Sequence, residues 1–254
     1  MVADKPREMK PTRVSPARLA AYEALFAIEK RDAFAQDVIA KTIDESKLSV
    51  QDKAFATRLV LGVVSTKGAL DMMLDKCLKS PKDVKANVRC ALRIPIYEMI
   101  YLGKQTHAAV DQGVELVGYI APKARGLANF ALRKIAQVKS SFPFGNPDAD
   151  IDVLALKEGF PAWLAAFFVS TFKWDRAREF MAAANEPAPI YIALNSLKTD
   201  EADFLAQADK AGISLKRARI NGYEVDGCFE LADRKAAASR FILSGIEAGK
   251  ICIS

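Results

Sequence analysis

The sequence predicts an all-α helical bundle over its first half and a smaller α+β module over its second. Three observations carry this. Up to residue 139, apolar residues recur at helical spacing behind recognisable start signals, with no alternating strand pattern to compete. The stretch Ser140-Ser141-Phe142-Pro143-Phe144-Gly145-Asn146-Pro147 then interrupts with two prolines, a glycine and polar turn formers. Beyond it, short apolar runs are interspersed with helical segments. The expected division is a flexible basic tail over 1–13, the bundle over 14–139, a linker over 140–160 and the α+β module over 161–254.

In the bundle, Ser15 followed by Pro16 is a cap with proline at the first helical position, and Leu19, Tyr22 and Phe26 follow at helical spacing. Ser49, Val50, Gln51 and Asp52 open a helix in the manner of a capping box, ahead of Phe55, Leu59 and Val63. Leu70, Met73, Leu74 and Cys77 mark another. Ser80 and Pro81 repeat the cap-plus-proline signal before Val84, Val88 and Leu92. Pro95 is expected to kink or divide that helix, because it cannot donate to the preceding turn. Thr106 can cap a helix carrying Val110, Val114 and Val117, and Pro122 opens one carrying Leu127, Phe130 and Ile135.

In the second half, 161–184 reads as helical, with Trp163, Phe167, Phe172, Phe180 and Met181 as its core. Residues 190–194 read as a strand, 200–211 as a helix ended by Gly212, and 213–215 as a second strand. The apolar runs at 228–231 and 241–243 are candidates for further strands.

At 254 residues and 51% hydrophobic, the chain can bury a substantial core. No run approaches the roughly 18 apolar residues of a membrane span, and the N-terminus is charged, so the expectation is a cytoplasmic protein without a membrane partner. Cys77, Cys90, Cys228 and Cys252 show no paired spacing, which argues against a zinc site or a disulfide framework and fits reduced, mostly buried thiols.

The charge is uneven. Residues 1–139 hold 24 Lys and Arg against 15 Asp and Glu, while 140–254 hold 13 against 16. A basic half points to a polyanion partner, with a solvated lysine-rich surface as the alternative. From Leu116 to Pro147 there is no acidic residue, yet Lys123, Arg125, Arg133, Lys134 and Lys139 all occur there. Lys82, Lys85, Arg89 and Arg93 step by three and four residues and would align on one helix face. Arg13 and Arg18 sit at the first helix start. These ten cations, Lys139 aside, are the candidate phosphate contacts, the arginines adding bidentate geometry.

No catalytic centre is recognisable. The one histidine, His107, has no second His or paired cysteines for a metal site, and no Gly-x-Ser-x-Gly turn marks a nucleophile. It reads as a structural or partner-touching residue near a helix start. The stretch from Gly245 to Lys250 only superficially resembles a phosphate loop. It has three residues between the glycines, and Ile251 follows where Ser or Thr should hold magnesium.

Three stretches of the helical half resemble the NusB-like domain at the front of the RsmB (Fmu/Sun) family of ribosomal RNA cytosine-C5 methyltransferases. They are Asp52-Lys53-Ala54-Phe55-Ala56-Thr57 with Leu59-Val60-Leu61-Gly62-Val63, then 107–116 beginning His107-Ala108-Ala109-Val110, then 122–134, where the family reads Pro-Lys, a glycine and Asn-x-x-Leu-Arg followed by Arg or Lys. The likeness continues through Phe160-Pro161-Ala162-Trp163-Leu164, Asn185-Glu186-Pro187 and Asn195-Ser196-Leu197-Lys198-Thr199, in family order. Phe160 departs from the family's His, Asp111-Gln112 from Asn-Glu, and Pro95 from a common glycine. Ala193 replaces the usual arginine and removes a basic contact from the module.

The resemblance implies a NusB-like helical bundle followed by the α+β module that would precede a methyltransferase domain. That domain would bind S-adenosylmethionine and hold two catalytic cysteines, one in a Pro-Cys motif. Pro-Cys is absent here, and the segment ending at Ser254 would lead into that domain. The chain therefore reads as a truncated chain or split-gene product, the RNA-recognition half of a 16S ribosomal RNA methyltransferase. No cofactor is expected in it, and its partners would be ribosomal RNA and either the missing methyltransferase domain or a ribosomal protein. A NusB-like transcription antitermination factor and a helical protein-interaction adaptor are the alternatives.

Overall fold

A computed structural model describes residues 13–186, 188–220, 222–233, 236–237 and 239–253. Of the expected basic tail only Arg13 lies within the described residues. The chain forms two compact units, one ending at Ala183 and one beginning at Ala184.

The first unit is helical. Its elements are α1 (Pro16–Arg31), α2 (Ala35–Ile39), α3 (Val50–Cys77), α4 (Ala86–Ile100), α5 (Thr106–Ile120) and α6 (Arg125–Val138), followed by α7 (Ile151–Glu158), α8 (Ala162–Phe172) and α9 (Trp174–Asn185). Ser49 starts α3 as expected: its Oγ accepts from the Asp52 N–H at 3.1 Å and donates to Asp52 Oδ2 at 2.8 Å. The two helices expected across 49–77 are one. Gly68 is the one helix-weakening residue between the two apolar sets, and a single glycine costs only about 1 kcal/mol inside a helix.

Packing among α3, α4, α5 and α6 leaves no room at two glycines. A Cβ on Gly62 of α3 would lie 2.0 Å from the ring of Tyr97 on α4. A Cβ on Gly113 of α5 would lie 2.6 Å from Pro95 on α4 and 2.7 Å from Leu132 on α6. The second contact explains Pro95. Helix α4 runs unbroken through it, because the buried ring fills the space that Gly113 leaves and packing offsets the lost hydrogen bond.

Two predicted features differ here. The segment expected as a linker contains α7, capped by Asp150 and ended by Gly159 at φ +76°. Tyr101 Oη donates to the Leu156 carbonyl at 2.8 Å, and a Cβ on Gly159 would meet Thr66 of α3 at 2.5 Å. Helix α7 thus packs on the bundle. Of the residues expected as core in α8 and α9, Met181 is fully buried, but Trp163, Phe167, Phe172 and Phe180 are exposed. Helix α8 is apolar on every side and buries only Ala165 completely, so periodicity could not tell its inner face from its outer. Among the described residues no single helix is long and apolar enough to cross a membrane.

The second unit runs β1 (Tyr191–Leu194), α10 (Glu201–Lys210), β2 (Leu215–Ile220), β3 (Tyr223–Leu231), α11 (Arg240–Glu247) and β4 (Ile251–Ile253). Its antiparallel sheet is ordered β2-β3-β1-β4, a split β-α-β arrangement in which β3 lies between β1 and β2. Ile192 pairs with Phe229 on one side and Ile253 on the other. The buried side chains Ile192, Leu231 and Ile251 of the sheet pack against Phe204 and Ala208 of α10 and Ile242 of α11. Residues 241–243, a candidate strand in the sequence, are helical. Ser239 caps α11 by accepting from the Ile242 N–H at 3.4 Å.

Candidate nucleic-acid interface

Helix α6 buries Ala128, Ala131, Leu132 and Ile135 and turns Leu127, Phe130, Arg133 and Lys134 outward. Just before it, the turn Pro122–Ala124 presents Lys123. Opposite lies the segment between α3 and α4, where a second turn, Pro81–Asp83, is followed by Lys85 at the cap of α4. The two segments face each other across a cleft of about 610 Å³ lined by Val84, Lys85, Val88, Lys123 and Leu127. A neighbouring cleft of about 340 Å³ shares Val84 and Leu127 and adds Lys79 and Phe130. The floor is apolar and the rims carry lysines, with Asp83 as the acid lining both. Phe130 is half exposed, and Lys134 Nζ lies 5.9 Å from its ring centre.

The predicted cations separate into two groups. Lys82, Lys85, Lys123, Arg133 and Lys134 are exposed, and among the described residues they make no ion pair with an acid. Arg133 Nε donates to Asn129 Oδ1 at 2.9 Å, one turn back on its own helix. Arg13 is exposed, its carbonyl accepting from Gln112 at 3.3 Å. Arg125 is exposed and paired with Glu115.

The other three are structural. Lys82, Lys85, Arg89 and Arg93 do not share a helix face, because α4 begins only at Ala86. Arg89 turns to Asp75 at 2.6 Å, to Asp71 and to the Pro81 carbonyl. Arg93 has 6% of its side chain exposed and grips Asp71 at 2.8 and 2.9 Å and Glu29 at 2.5 Å. Burial alone would lower the Arg93 pKa, but the hydrogen bonds and charges of Asp71 and Glu29 outweigh it and raise the value. Arg18 reaches Glu98, a fully buried carboxylate, through two bonds of 2.9 and 2.6 Å. These guanidiniums tie α1, α3 and α4 together and leave the candidate set, because a phosphate contact would strand the buried Glu98 and break the part-buried pairs with Asp71 and Glu29.

The sequence reading missed Lys79 and the pairing of Phe130 with Lys134; the signal available was a lysine or aromatic at each edge of the two proline turns. His107 Nδ1 lies 3.1 Å from Asp111 Oδ2 and is almost fully exposed, at the surface of α5. The stretch 245–250 runs from inside α11 to the residue before β4, from helix toward strand rather than strand to helix. A Cβ on Gly245 would meet Ile251 at 3.0 Å and one on Gly249 would meet Lys198 Nζ at 2.8 Å. These glycines therefore do not fit a cofactor-phosphate or S-adenosylmethionine cradle. Cys77 and Cys90 are buried, but Cys228 is half-buried and Cys252 exposed, because both lie on the short-stranded sheet.

Fold and cleft together define a basic-faced helical bundle joined to a small split β-α-β unit. Residues 15–137 match the NusB family model, and they fold as a NusB-like helical domain. The chain is homologous to ribosomal RNA small subunit methyltransferase B proteins. It is 30% identical over 204 residues to the Bacillus subtilis "Probable ribosomal RNA small subunit methyltransferase B", covering 79% of this chain and 45% of that protein. It is 25% identical over 171 residues to the Escherichia coli O1:K1 "Ribosomal RNA small subunit methyltransferase B", covering 66% of this chain and 38% of that protein. The chain thus spans less than half the length of these relatives. The crystal structure of PH0851 matches 96% of this chain and 54% of its own with a TM-score of 0.57 at 17% identity, a likeness of fold.

Proposed function

We propose that this chain supplies the RNA-recognition portion of an S-adenosylmethionine-dependent 16S ribosomal RNA (cytosine-C5) methyltransferase working in the cytoplasm. The cleft carries the reading: two basic turns, distant in sequence, converge over an apolar floor with an exposed aromatic ring at its edge. Lysines there neutralise backbone phosphates and set the register of the RNA without reading its sequence. The apolar floor and Phe130 offer a face on which an unstacked base can lie. S-adenosylmethionine supplies the methyl group in such an enzyme; the residues described here bind and orient the nucleic acid. Similarity over 204 residues, well past the NusB-family stretch, supports this over a free-standing antitermination factor.

The test is a titration of a structured small-subunit ribosomal RNA fragment at several salt concentrations. Lys123→Glu combined with Lys134→Glu is expected to weaken binding and to flatten the salt dependence by about 0.7 to 0.9 log units per lost contact. Binding that is insensitive to salt, or unchanged in the double variant, would overturn the reading.

A further inference from the structure

Among the described residues, Arg125 is the one outward cation of the α6 face held by an acid. Its guanidinium folds back over α5 and pairs with Glu115, the last carboxylate before the acid-free stretch 116–147. What lets it lie there is Gly118. A Cβ at that position would stand 3.2 Å from Arg125 Cδ and 3.3 Å from Nη1, tighter than ordinary packing. The missing side chain leaves a channel across α5, along which the arginine reaches its partner. Both groups remain accessible, Arg125 at 54% and Glu115 at 25% exposure.

We propose that Glu115 is an affinity-setting latch: it neutralises Arg125 in the free protein and withholds that cation from the bound polyanion. The inference rests on the RNA reading and adds to it a residue of opposite charge that tunes it. The physical reason is counterion release. Each unpaired cation that meets a phosphate frees a condensed ion, whereas an arginine already paired with a carboxylate brings no net charge to the contact. The nearby carboxylate also repels phosphate directly. Lys123, two residues away and without an acid partner among the described residues, is the internal comparison.

The experiment measures binding of a small-subunit ribosomal RNA transcript by fluorescence anisotropy between about 50 and 200 mM salt, the range over which phosphate contacts are resolved. Glu115→Gln is expected to tighten binding at low salt and steepen the slope by about 0.7 to 0.9, one added contact. Arg125→Gln, which uncovers the Glu115 carboxylate, should weaken binding but change the wild-type slope far less than Lys123→Gln does, and should remove the added contact in the Glu115→Gln background. Lys123→Gln should flatten the slope in both. Gly118→Ala, which presses a methyl against the arginine without altering charge, should act in the direction of Glu115→Gln, but more weakly. All four sites are at or near the surface, and circular dichroism verifies folding of each variant.

The latch is overturned if Arg125→Gln flattens the wild-type slope as much as Lys123→Gln does, or if Glu115→Gln changes nothing. Loss of salt-dependent binding in the wild type itself is a different result, which overturns the RNA reading and the latch with it.

Discussion

Arg93 and Lys134 have the same sign of charge and opposite employment. The sequence placed both among phosphate contacts, and nothing local distinguishes them. What separates them lies far away along the chain: Arg93 meets Asp71 and Glu29, 22 and 64 residues distant, whereas Lys134 lies near Phe130 on its own helix. Cation clusters are therefore legible in a sequence, but their acid partners become visible only when helices pack. Burial acts at the same scale on groups that sequence reading passes over. It pushes the Cys90 thiol up from 9.0 to about 12, and the Tyr22 hydroxyl up from 10.0 to about 12. Below pH 9 both groups keep their protons whether the chain is folded or not, and the neutral forms cost nothing. Between pH 9 and 12 the unfolded chain releases them while the folded chain retains them, so unfolding gains ground. Stability of the helical unit, followed by urea denaturation, is expected to fall steadily across that window. Cys90→Ala should make the fall shallower, and a flat profile in the wild type would contradict this.

At the scale of elements, start signals were legible only in part: Ser49 caps its helix as expected, whereas Ser15 makes no side-chain cap, Ser80 and Pro81 open a short turn ahead of α4, and Thr106 is the first residue of α5 behind Gln105. Ser49, Asp150, Asp200 and Ser239 all cap helices through their side chains, and the first of these was readable as a capping box. Apolar runs without such a reading misled: 241–243 suits a strand as well as a helix until Ser239 is seen to cap it. Pro95 misled in the other direction, because its tolerance depends on Gly113 of the next helix. The glycines of α3 turn this into a contrast within one helix. Gly62→Ala would drive a Cβ into the buried Tyr97 ring and is expected to destabilise by about 1–3 kcal/mol or more, the cost of overpacking. Gly68→Ala has nothing within 4 Å and is expected to stabilise by about 0.5–1 kcal/mol through helix propensity. Chemical denaturation of the two variants settles it, and a shift of the same sign in both would refute the packing described.

For the whole molecule, the fold class was plain from periodicity and from the change in character after the two prolines. The division was less so, because 140–160 has the composition of a linker and yet 151–158 folds onto α3 and α4. That gives a prediction for truncation. A chain ending at Asn185 keeps the Tyr101–Leu156 bond and the Gly159–Thr66 contact, and should melt as the helical unit of the full chain does. A chain ending at Lys139 loses both, and its melting temperature should fall by several degrees, since about 1 kcal/mol moves a domain of this size by roughly 2–8 °C. Equal melting temperatures would show that α7 to α9 add nothing to the bundle. The candidate site was half legible at this scale. Its cations could be listed from sequence, but the cleft exists only because the turns before α4 and α6 meet.

The apolar helix α8 also governs what light can report. The chain holds two tryptophans, and both flank this one helix: Trp163 is 71% exposed in its first turn, and Trp174 is half-buried just after its end. The bundle core has none. Intrinsic emission is therefore a local dye on α8, bright toward solvent and blind to α1 through α6. An unfolding curve read by tryptophan fluorescence follows the loosening of that small aromatic cluster, while far-ultraviolet circular dichroism follows the bundle. Midpoints from the two probes separate wherever the cluster lets go first.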